Sequence, residues 1–129
     1  MIVITGASSG LGAALTQLYA AENQPLLVTG RSEQKLADVI AGLTQPEQKN
    51  VKTYAADLCV AEDVSALFSR LPAPPSKVIH CAGSGYFGPI EQQAPEAINQ
   101  LIHNNLTSSI LVLRELVSRY RDHNVTVVV

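Results

Sequence analysis

The sequence has 129 residues, of which 47% are hydrophobic and 16% are charged, and its formal net charge is -2. These values are typical of one globular domain with a continuous core. The nine Lys and Arg residues are scattered, which argues against a nucleic-acid partner. Neither a signal sequence nor a membrane span is recognisable, and Cys59 and Cys81 form no disulfide framework. We therefore expect a cytoplasmic protein with no membrane partner.

Short apolar runs alternate with longer helical patterns along the chain. The predicted strands are 1–4, 25–29, 51–55, 77–81 and 125–129, and the predicted helices are 10–22, 32–43, 61–71 and 95–121. Each strand is nearly continuous in apolar character, as in a parallel sheet that helices cover on both faces. Ser32 is expected to cap its helix, and Pro95 to begin one.

The order of these elements is strand, helix, strand throughout, which implies right-handed crossover connections. The sequence therefore predicts a doubly wound, Rossmann-like parallel α/β sheet. We expect five strands in the order 3-2-1-4-5 and a single domain over residues 1–129.

Glycines at positions 6, 10 and 12 follow the first strand directly and lead into the first helix. A strand that ends this way places free backbone N–H groups and the positive end of a helix dipole at one edge, where phosphate binds. Gly6 would make the turn, Gly10 would let a diphosphate approach, and Gly12 would let the helix pack closely. The alternative is a glycine turn that only connects a strand to a helix.

The spacing G-x-x-x-G-x-G matches neither the P-loop nor the G-x-G-x-x-G motif. The segment Thr5-Gly-Ala-Ser-Ser-Gly-Leu-Gly12 closely resembles the cofactor loop of the short-chain dehydrogenase/reductase family. Asp57-Leu58, His80-Cys-Ala-Gly83 and Asn105-Leu106 also fall where that family has its motifs. The resemblance covers essentially the whole chain, but only about the N-terminal half of a typical member.

This resemblance implies a set of cofactor-binding residues. The glycine loop would hold the diphosphate, Asp57 would contact the adenine, and Ala82 and Gly83 would pass beside the adenine ribose. Two structural alternatives stay open, since Asp57 could instead cap a helix and Ala82-Gly83 could merely end a strand. The full predicted set is Thr5, Gly6, Ser8, Ser9, Gly10, Leu11, Gly12, Arg31, Ser32, Asp57, Leu58, Ala82 and Gly83. The usual Asn-Asn-Ala-Gly of the family is replaced by His-Cys-Ala-Gly, and Cys81 cannot reproduce the two-way hydrogen bonding of an amide.

The end of the second strand predicts the choice of cofactor. In folds of this kind an acidic residue there accepts the ribose hydroxyl of NAD, whereas an arginine accommodates the phosphate of NADP. Here Gly30 takes the place of the acid and Arg31 follows it, next to Ser32. We therefore expect NADP(H) rather than NAD(H), unless Arg31 is only a solvated loop residue.

The family's proton-transferring Tyr-x-x-x-Lys does not start at any tyrosine of this chain. By resemblance, those residues would follow Val129, and only the helix asparagine falls within the chain. Asn105 is the best match as a catalytic residue, with Asn104 adjacent, and either could instead be a polar residue on a helix flank. We expect an NADP(H)-dependent alcohol or carbonyl oxidoreductase whose N-terminal 129 residues are inactive alone. A dinucleotide-binding or sensing module without catalysis is the alternative.

Two further segments favour contacts with small molecules or with other chains. Tyr86 and Phe87 follow the fourth strand and would either line the substrate side or pack in the core. The last predicted helix has apolar residues that fit one packing face, at positions 102, 106, 110, 113, 116, 117 and 120. In the resembling family this helix often forms an oligomer interface, so a homo-oligomer is expected. The three histidines lack metal-ligand spacing, and no metal is expected.

Overall fold

Five parallel strands form the centre of the protein, whose computed structural model describes all residues from Met1 to Val129. The strands are β1 (Ile2–Thr5), β2 (Leu26–Gly30), β3 (Val51–Ala55), β4 (Lys77–His80) and β5 (Thr126–Val128). They pair in the order β3-β2-β1-β4-β5, and every pairing is parallel. The doubly wound α/β fold and the strand order predicted from the sequence are confirmed.

Helices connect the strands and cover the sheet. They are α1 (Gly10–Ala21), α2 (Glu33–Ala41), α3 (Gln45–Gln48), α4 (Ala61–Phe68), α5 (Pro95–Ile102) and α6 (Ser108–Tyr120). A 3-10 turn occupies Ile90–Gln92, and a π-helical segment, His103–Thr107, joins α5 to α6. No helix combines the length and the apolar character that crossing a membrane requires.

Two apolar clusters fill the space between the sheet and its helices, one on each face. Because side chains alternate along a strand, Val3 belongs to one cluster while Ile2 and Ile4 belong to the other. The first cluster includes Leu67, Phe68, Val112 and Leu116 from the helices α4 and α6. The second includes Ala20 and Leu36 from α1 and α2. Because all five strands run in the same direction, their carboxyl ends share one edge of the sheet.

Local sequence signals account for the starts of three helices. The Ser32 side chain accepts a hydrogen bond from the backbone N–H of Lys35, and Pro95 is the first residue of α5, so both predicted helix starts are confirmed. The short helix α3 was missed. Its signal is the capping pattern Thr44-x-x-Glu47, in which the Glu47 carboxylate accepts from the Thr44 backbone N–H at 2.7 Å.

The prediction of a helix over 95–121 is correct in extent, since residues 95–120 are all helical, but the helix is not regular throughout. The hydroxyl groups of Ser108 and Ser109 donate to the backbone carbonyls of Asn104 and Asn105, four residues earlier, and the backbone there widens into the π-helical segment. Such back-bonding by serine competes with the regular helical pattern.

Only part of the predicted packing face of that helix is buried. Leu116 is buried as expected, but its buried companion on α6 is Val112, which the apolar spacing had not included. Ile110, Leu113 and Val117 are exposed. Ile102 and Leu106 are exposed as well, so the apolar stripe forms an outer face on both sides of the π-helical segment, while Ser108, Val112 and Leu116 face the core.

Candidate functional site

A crevice of about 310 Å³ lies above the carboxyl ends of β1 to β4. In doubly wound sheets, ligands bind at this edge where the strand order reverses, which here is between β1 and β4. Most of the residues proposed from the sequence line it: Gly6, Ser8, Ser9, Gly10, Leu11, Arg31, Asp57, Leu58, Ala82 and Gly83. The proposed residues that do not line it are Thr5, Gly12, Ser32 and Asn105.

The turn after β1 requires glycine at position 6. Gly6 has φ +64°, and a Cβ atom there would lie 2.7 Å from the backbone of Cys81 and Ala82. The loop is thus pressed against the end of β4. The buried Thr5 hydroxyl accepts a hydrogen bond from the Ala82 backbone N–H at 3.2 Å, which holds the two segments together from below.

Gly10 and Gly12 have different roles in the same loop. A Cβ atom on Gly12 would collide with the backbone carbonyl of Gly6, so α1 packs directly on the loop. Gly10 has φ +52° and nothing within 4 Å of its Cβ position, so the space above it is open to a ligand. The N-cap residue of α1, Ser9, makes no capping hydrogen bond with its side chain. The crevice therefore faces an uncapped helix N-terminus, which is suited to an anion.

The end of β2 places a glycine and an exposed arginine on the crevice wall. A Cβ atom on Gly30 would lie 3.0 Å from the Ser8 hydroxyl oxygen and 3.1 Å from the Ser8 Cβ. An acidic side chain at this position would therefore have to displace Ser8. Arg31 is exposed and forms no salt bridge, so its guanidinium is free to bind a ligand. The neighbouring Ser32 hydroxyl is used in capping α2.

Asp57 begins the loop between β3 and α4 and does not cap that helix, whose N-cap residue is Val60. Its carboxylate accepts from the Cys59 backbone N–H at 3.0 Å, and its own N–H donates to the Asp63 carboxylate at 2.8 Å. The helix-capping alternative for Asp57 is thus excluded. These contacts hold the loop so that Asp57 and Leu58 line the crevice.

Two asparagines hold the loop that follows β4. The Asn105 amide accepts from the Ser84 N–H at 3.2 Å and donates to the Ser84 carbonyl at 2.9 Å and the Leu101 carbonyl at 2.8 Å. Asn104 donates to the Ser84 hydroxyl at 2.9 Å. Asn104 lines the crevice, whereas Asn105 lies behind Gly83. A Cβ atom added to Gly83 would lie 2.6 Å from the Asn105 amide oxygen.

Sequence reasoning did not place the cysteines in this site, yet both line the crevice. The Cys59 thiol donates to the backbone carbonyl of His103 at 3.2 Å and so joins the loop after β3 to the π-helical segment. Burial, with a contribution from the Asp57 carboxylate, raises the pKa of Cys59, and burial alone raises the pKa of Cys81. Both thiols are therefore protonated and weakly reactive at neutral pH.

The segment beyond the crevice contributes little to it. Tyr86 is 42% exposed and Phe87 is 99% exposed, and neither lines the crevice. No three His, Cys, Asp or Glu side chains are grouped so that they could hold a metal ion. The polar groups of the crevice are thus the glycine-loop backbone, serine hydroxyls, the Arg31 guanidinium, the Asp57 carboxylate, the two thiols and the Asn104 amide.

Comparison with known proteins supports an assignment of family. The model of the family described as short chain dehydrogenase matches residues 1–129, which is the entire chain. The chain belongs to the short chain dehydrogenase family. The strand order and the crevice where that order reverses, between β1 and β4, agree with this assignment.

Individual members of the short chain dehydrogenase family align over most of this chain. A short-chain dehydrogenase/reductase from Vibrio parahaemolyticus is 52% identical with a TM-score of 0.90, covering 98% of this chain and 58% of that one. An alcohol dehydrogenase from Thermococcus sibiricus, complexed with 5-hydroxy-NADP, is 28% identical with a TM-score of 0.81, covering 91% and 51%. A PIGF/3-ketodihydrosphingosine reductase fusion protein of Schizosaccharomyces pombe is 28% identical, covering 94% of this chain and 25% of that protein. The chain thus spans between a quarter and about three-fifths of the length of these relatives.

Proposed function

We propose that this chain is the cofactor-binding portion of an NADP(H)-dependent oxidoreductase that acts between an alcohol and a carbonyl. The observation that carries the proposal is the open, uncapped N-terminus of α1 above Gly10, which shares one crevice with Arg31. The free N–H groups and the glycine backbone suit a diphosphate, and the guanidinium suits a further phosphate. Asp57, Ala82 and Gly83 complete the proposed adenosine side of the crevice.

The preference for NADP(H) rests on the end of β2. Gly30 offers no carboxylate to the ribose, and its contact distance to Ser8 leaves little room for one. The Arg31 guanidinium can pair with a ribose phosphate through charge-assisted hydrogen bonds, each worth roughly 1.5 to 3 kcal/mol. This corresponds to about a ten- to hundredfold preference. The complex of the Thermococcus sibiricus enzyme with 5-hydroxy-NADP supports this choice at the level of the family.

Calorimetric titration of the chain with NADPH and with NADH tests the proposal. We expect NADPH to bind more tightly, and Arg31→Asp to reverse the order because the new carboxylate repels the phosphate and accepts the ribose hydroxyls. Lys49→Asp is the matched control, since it makes the same change of charge at an exposed position outside the crevice. Unchanged NADPH affinity in Arg31→Asp, or an equal loss in both variants, would contradict the proposed preference.

The bound cofactor would supply or accept the hydride, and the residues of this chain would position it. We propose Asn105 as the helix asparagine of the site, acting by holding the Ser84 loop, because both of its amide hydrogens are donated to backbone carbonyls. The proton-transferring Tyr and Lys of the family have no counterpart in residues 1–129, so the chain alone should not turn over. Oxidation of NADPH by the purified chain with a test carbonyl would overturn this expectation. A sensing module would bind NADPH equally well, so binding alone does not distinguish it from an enzyme. Turnover by a longer protein that includes this chain would support the enzyme, and binding without turnover would support the sensing module.

We also propose that the chain takes part in a homo-oligomer through α6. Ile110, Leu113 and Val117 are exposed on this helix and are flanked by Arg114 and Arg121. Contiguous exposed apolar side chains of this kind are typical of protein interfaces. Sedimentation of Leu113→Glu against the unmodified chain tests the proposal, with dissociation as the expected result. Unchanged mass would contradict it.

A further inference from the structure

His80 lies at the centre of a hydrogen-bonded bridge beneath the crevice. It is the last residue of β4 and is buried, and its register partner in β1 is Thr5. Its Nδ1 atom lies 2.9 Å from the Thr5 hydroxyl, and its Nε2 atom lies 3.4 Å from the hydroxyl of Ser108, the first residue of α6. One imidazole thus contacts both the strand that precedes the glycine loop and the helix that follows the π-helical segment.

The donors and acceptors of this bridge can all be paired in only one arrangement. The Ser108 hydroxyl donates to the Asn104 carbonyl at 2.7 Å, so its oxygen is left to accept from His80. The Thr5 oxygen accepts from the Ala82 N–H, so its hydrogen is left to donate to His80. The imidazole must therefore carry its proton on Nε2 and keep Nδ1 as an acceptor. With the proton on Nδ1, the Thr5 hydrogen would have no acceptor in the bridge.

We propose that His80 is a positioning residue whose neutral imidazole ties the glycine-loop turn to the π-helical segment and so fixes the two walls of the cofactor crevice relative to each other. Ala82, at one end of the bridge, and Asn104, at the other, both line the crevice. The proposal rests on the proposed function only in taking NADP(H) as the occupant. It also accounts for Cys81, which forms no side-chain hydrogen bond: His80 supplies the two-way bonding that an amide would provide at the neighbouring position.

The surroundings of His80 favour the neutral form. Burial lowers the pKa of His80, and no charged group contributes to the shift. None of the titratable side chains on the crevice wall, which are Arg31, Asp57, Cys59 and Cys81, forms a hydrogen bond with the imidazole. A second proton, on Nδ1, would leave the Thr5 hydroxyl hydrogen without an acceptor in the bridge.

The first measurement is the tautomer of His80 by nitrogen NMR of the 129-residue chain without cofactor. We expect Nε2 to be protonated and Nδ1 to be unprotonated. His123, which is exposed, serves as the reference for a histidine that exchanges between tautomers. A protonated Nδ1 at His80, or averaging like that of His123, would overturn the proposal without involving the cofactor.

Substitutions then separate positioning from simple packing. An asparagine places an acceptor near the Nδ1 site and a glutamine places a donor near the Nε2 site, whereas leucine provides neither. We expect His80→Leu to speed hydrogen exchange at the amides of Ala82 and Ser84. His80→Asn should restore protection mainly at Ala82 and His80→Gln mainly at Ser84, and the control His123→Leu should change neither. Equal exchange rates at these amides in the three His80 variants, or unchanged rates in all of them, would overturn the proposal. If His80→Leu does not fold, the comparison of His80→Asn with His80→Gln decides it.

The final measurement links the bridge to the site. We expect His80→Leu to weaken NADPH binding about tenfold, the equivalent of roughly one lost hydrogen bond, and His123→Leu to leave it unchanged. The hydrogen-exchange patterns of the His80 variants can match expectation even if the unmodified chain does not bind NADPH. That result would contradict the proposed function while supporting the bridge. Unchanged NADPH affinity in His80→Leu would contradict the positioning role.

Discussion

The two walls of the crevice are built in different ways. The wall formed by the glycine loop consists of backbone packed on backbone, with Gly6 against the end of β4 and Gly12 against the Gly6 carbonyl. The opposite wall is held in place by side-chain hydrogen bonds from Asn104 and Asn105 to Ser84. Beyond Gly83, only Ser108, Val112 and Leu116 are buried.

This difference shows that one site can depend on two kinds of interaction. Backbone contacts leave no space for an added methyl group, so the first wall should be sensitive to any side chain that is introduced. Exposed hydrogen bonds can be replaced by water, so the second wall should lose less stability when an amide is removed. The following predictions test this contrast.

Within the two walls of the crevice, the largest effect is expected at Gly12. Gly12→Ala should lower the free energy of unfolding by about 3 kcal/mol, because the new methyl group would collide with the Gly6 carbonyl. Gly10→Ala should cost only about 1 kcal/mol, for its positive φ, since nothing lies within 4 Å of its Cβ position. Urea denaturation of both variants measures the difference. Equal losses would show that the loop is not held by this contact.

A smaller effect is expected on the opposite wall. Asn105→Ala should lower the free energy of unfolding by about 1 kcal/mol, because Ser84 and Leu101 lose their hydrogen bonds at an exposed position. Asn104→Ala should cost less than about 0.5 kcal/mol, since it removes fewer contacts with the loop. Urea denaturation, with exchange at the Ser84 amide as a local probe, tests the order. A larger loss in Asn104→Ala would reverse the assigned roles.

Lowering the pH should weaken the junction between the two walls. The pKa of His80 is lowered in the folded chain by burial, so the unfolded chain binds more protons once the pH falls below the ordinary value of 6.5. His80 therefore contributes its full stability above that value, and the contribution declines as the pH falls toward the folded pKa. Unfolding measured from pH 7.5 to 5 should show a steeper loss for the unmodified chain than for His80→Asn. Parallel curves would mean that His80 is not the titrating group.

The smallest effect is expected at Phe87. Its side chain is 99% exposed, so Phe87→Ala should change the free energy of unfolding by less than about 0.5 kcal/mol. The same substitution at Phe68, which is buried against α6 and the sheet, should cost roughly 3 to 5 kcal/mol. Thermal unfolding of the two variants provides the comparison. A large loss at Phe87 would show that the loop packs on the domain in solution.

The sequence by itself determined the strand order and the position of the crevice at the carboxyl ends of the strands. Apolar runs and helical periods are local patterns, and the right-handed crossover rule converts their order into one sheet. The glycines at 6, 10 and 12 were also interpretable in advance, because a strand that ends in glycine before a helix has few structural uses. Ser32 and Pro95 marked helix starts for equally local reasons.

The tertiary structure alone decided which distant residues meet. Thr5 and His80 are 75 positions apart and become partners only through the register of β1 and β4. The packing of α6 on the rest of the domain decided that Val112 faces the core while Ile110 faces solvent. Both outcomes depend on the spacing between packed elements, which no local pattern of residues encodes. The same reason separates Asn104, on the crevice wall, from Asn105 behind it.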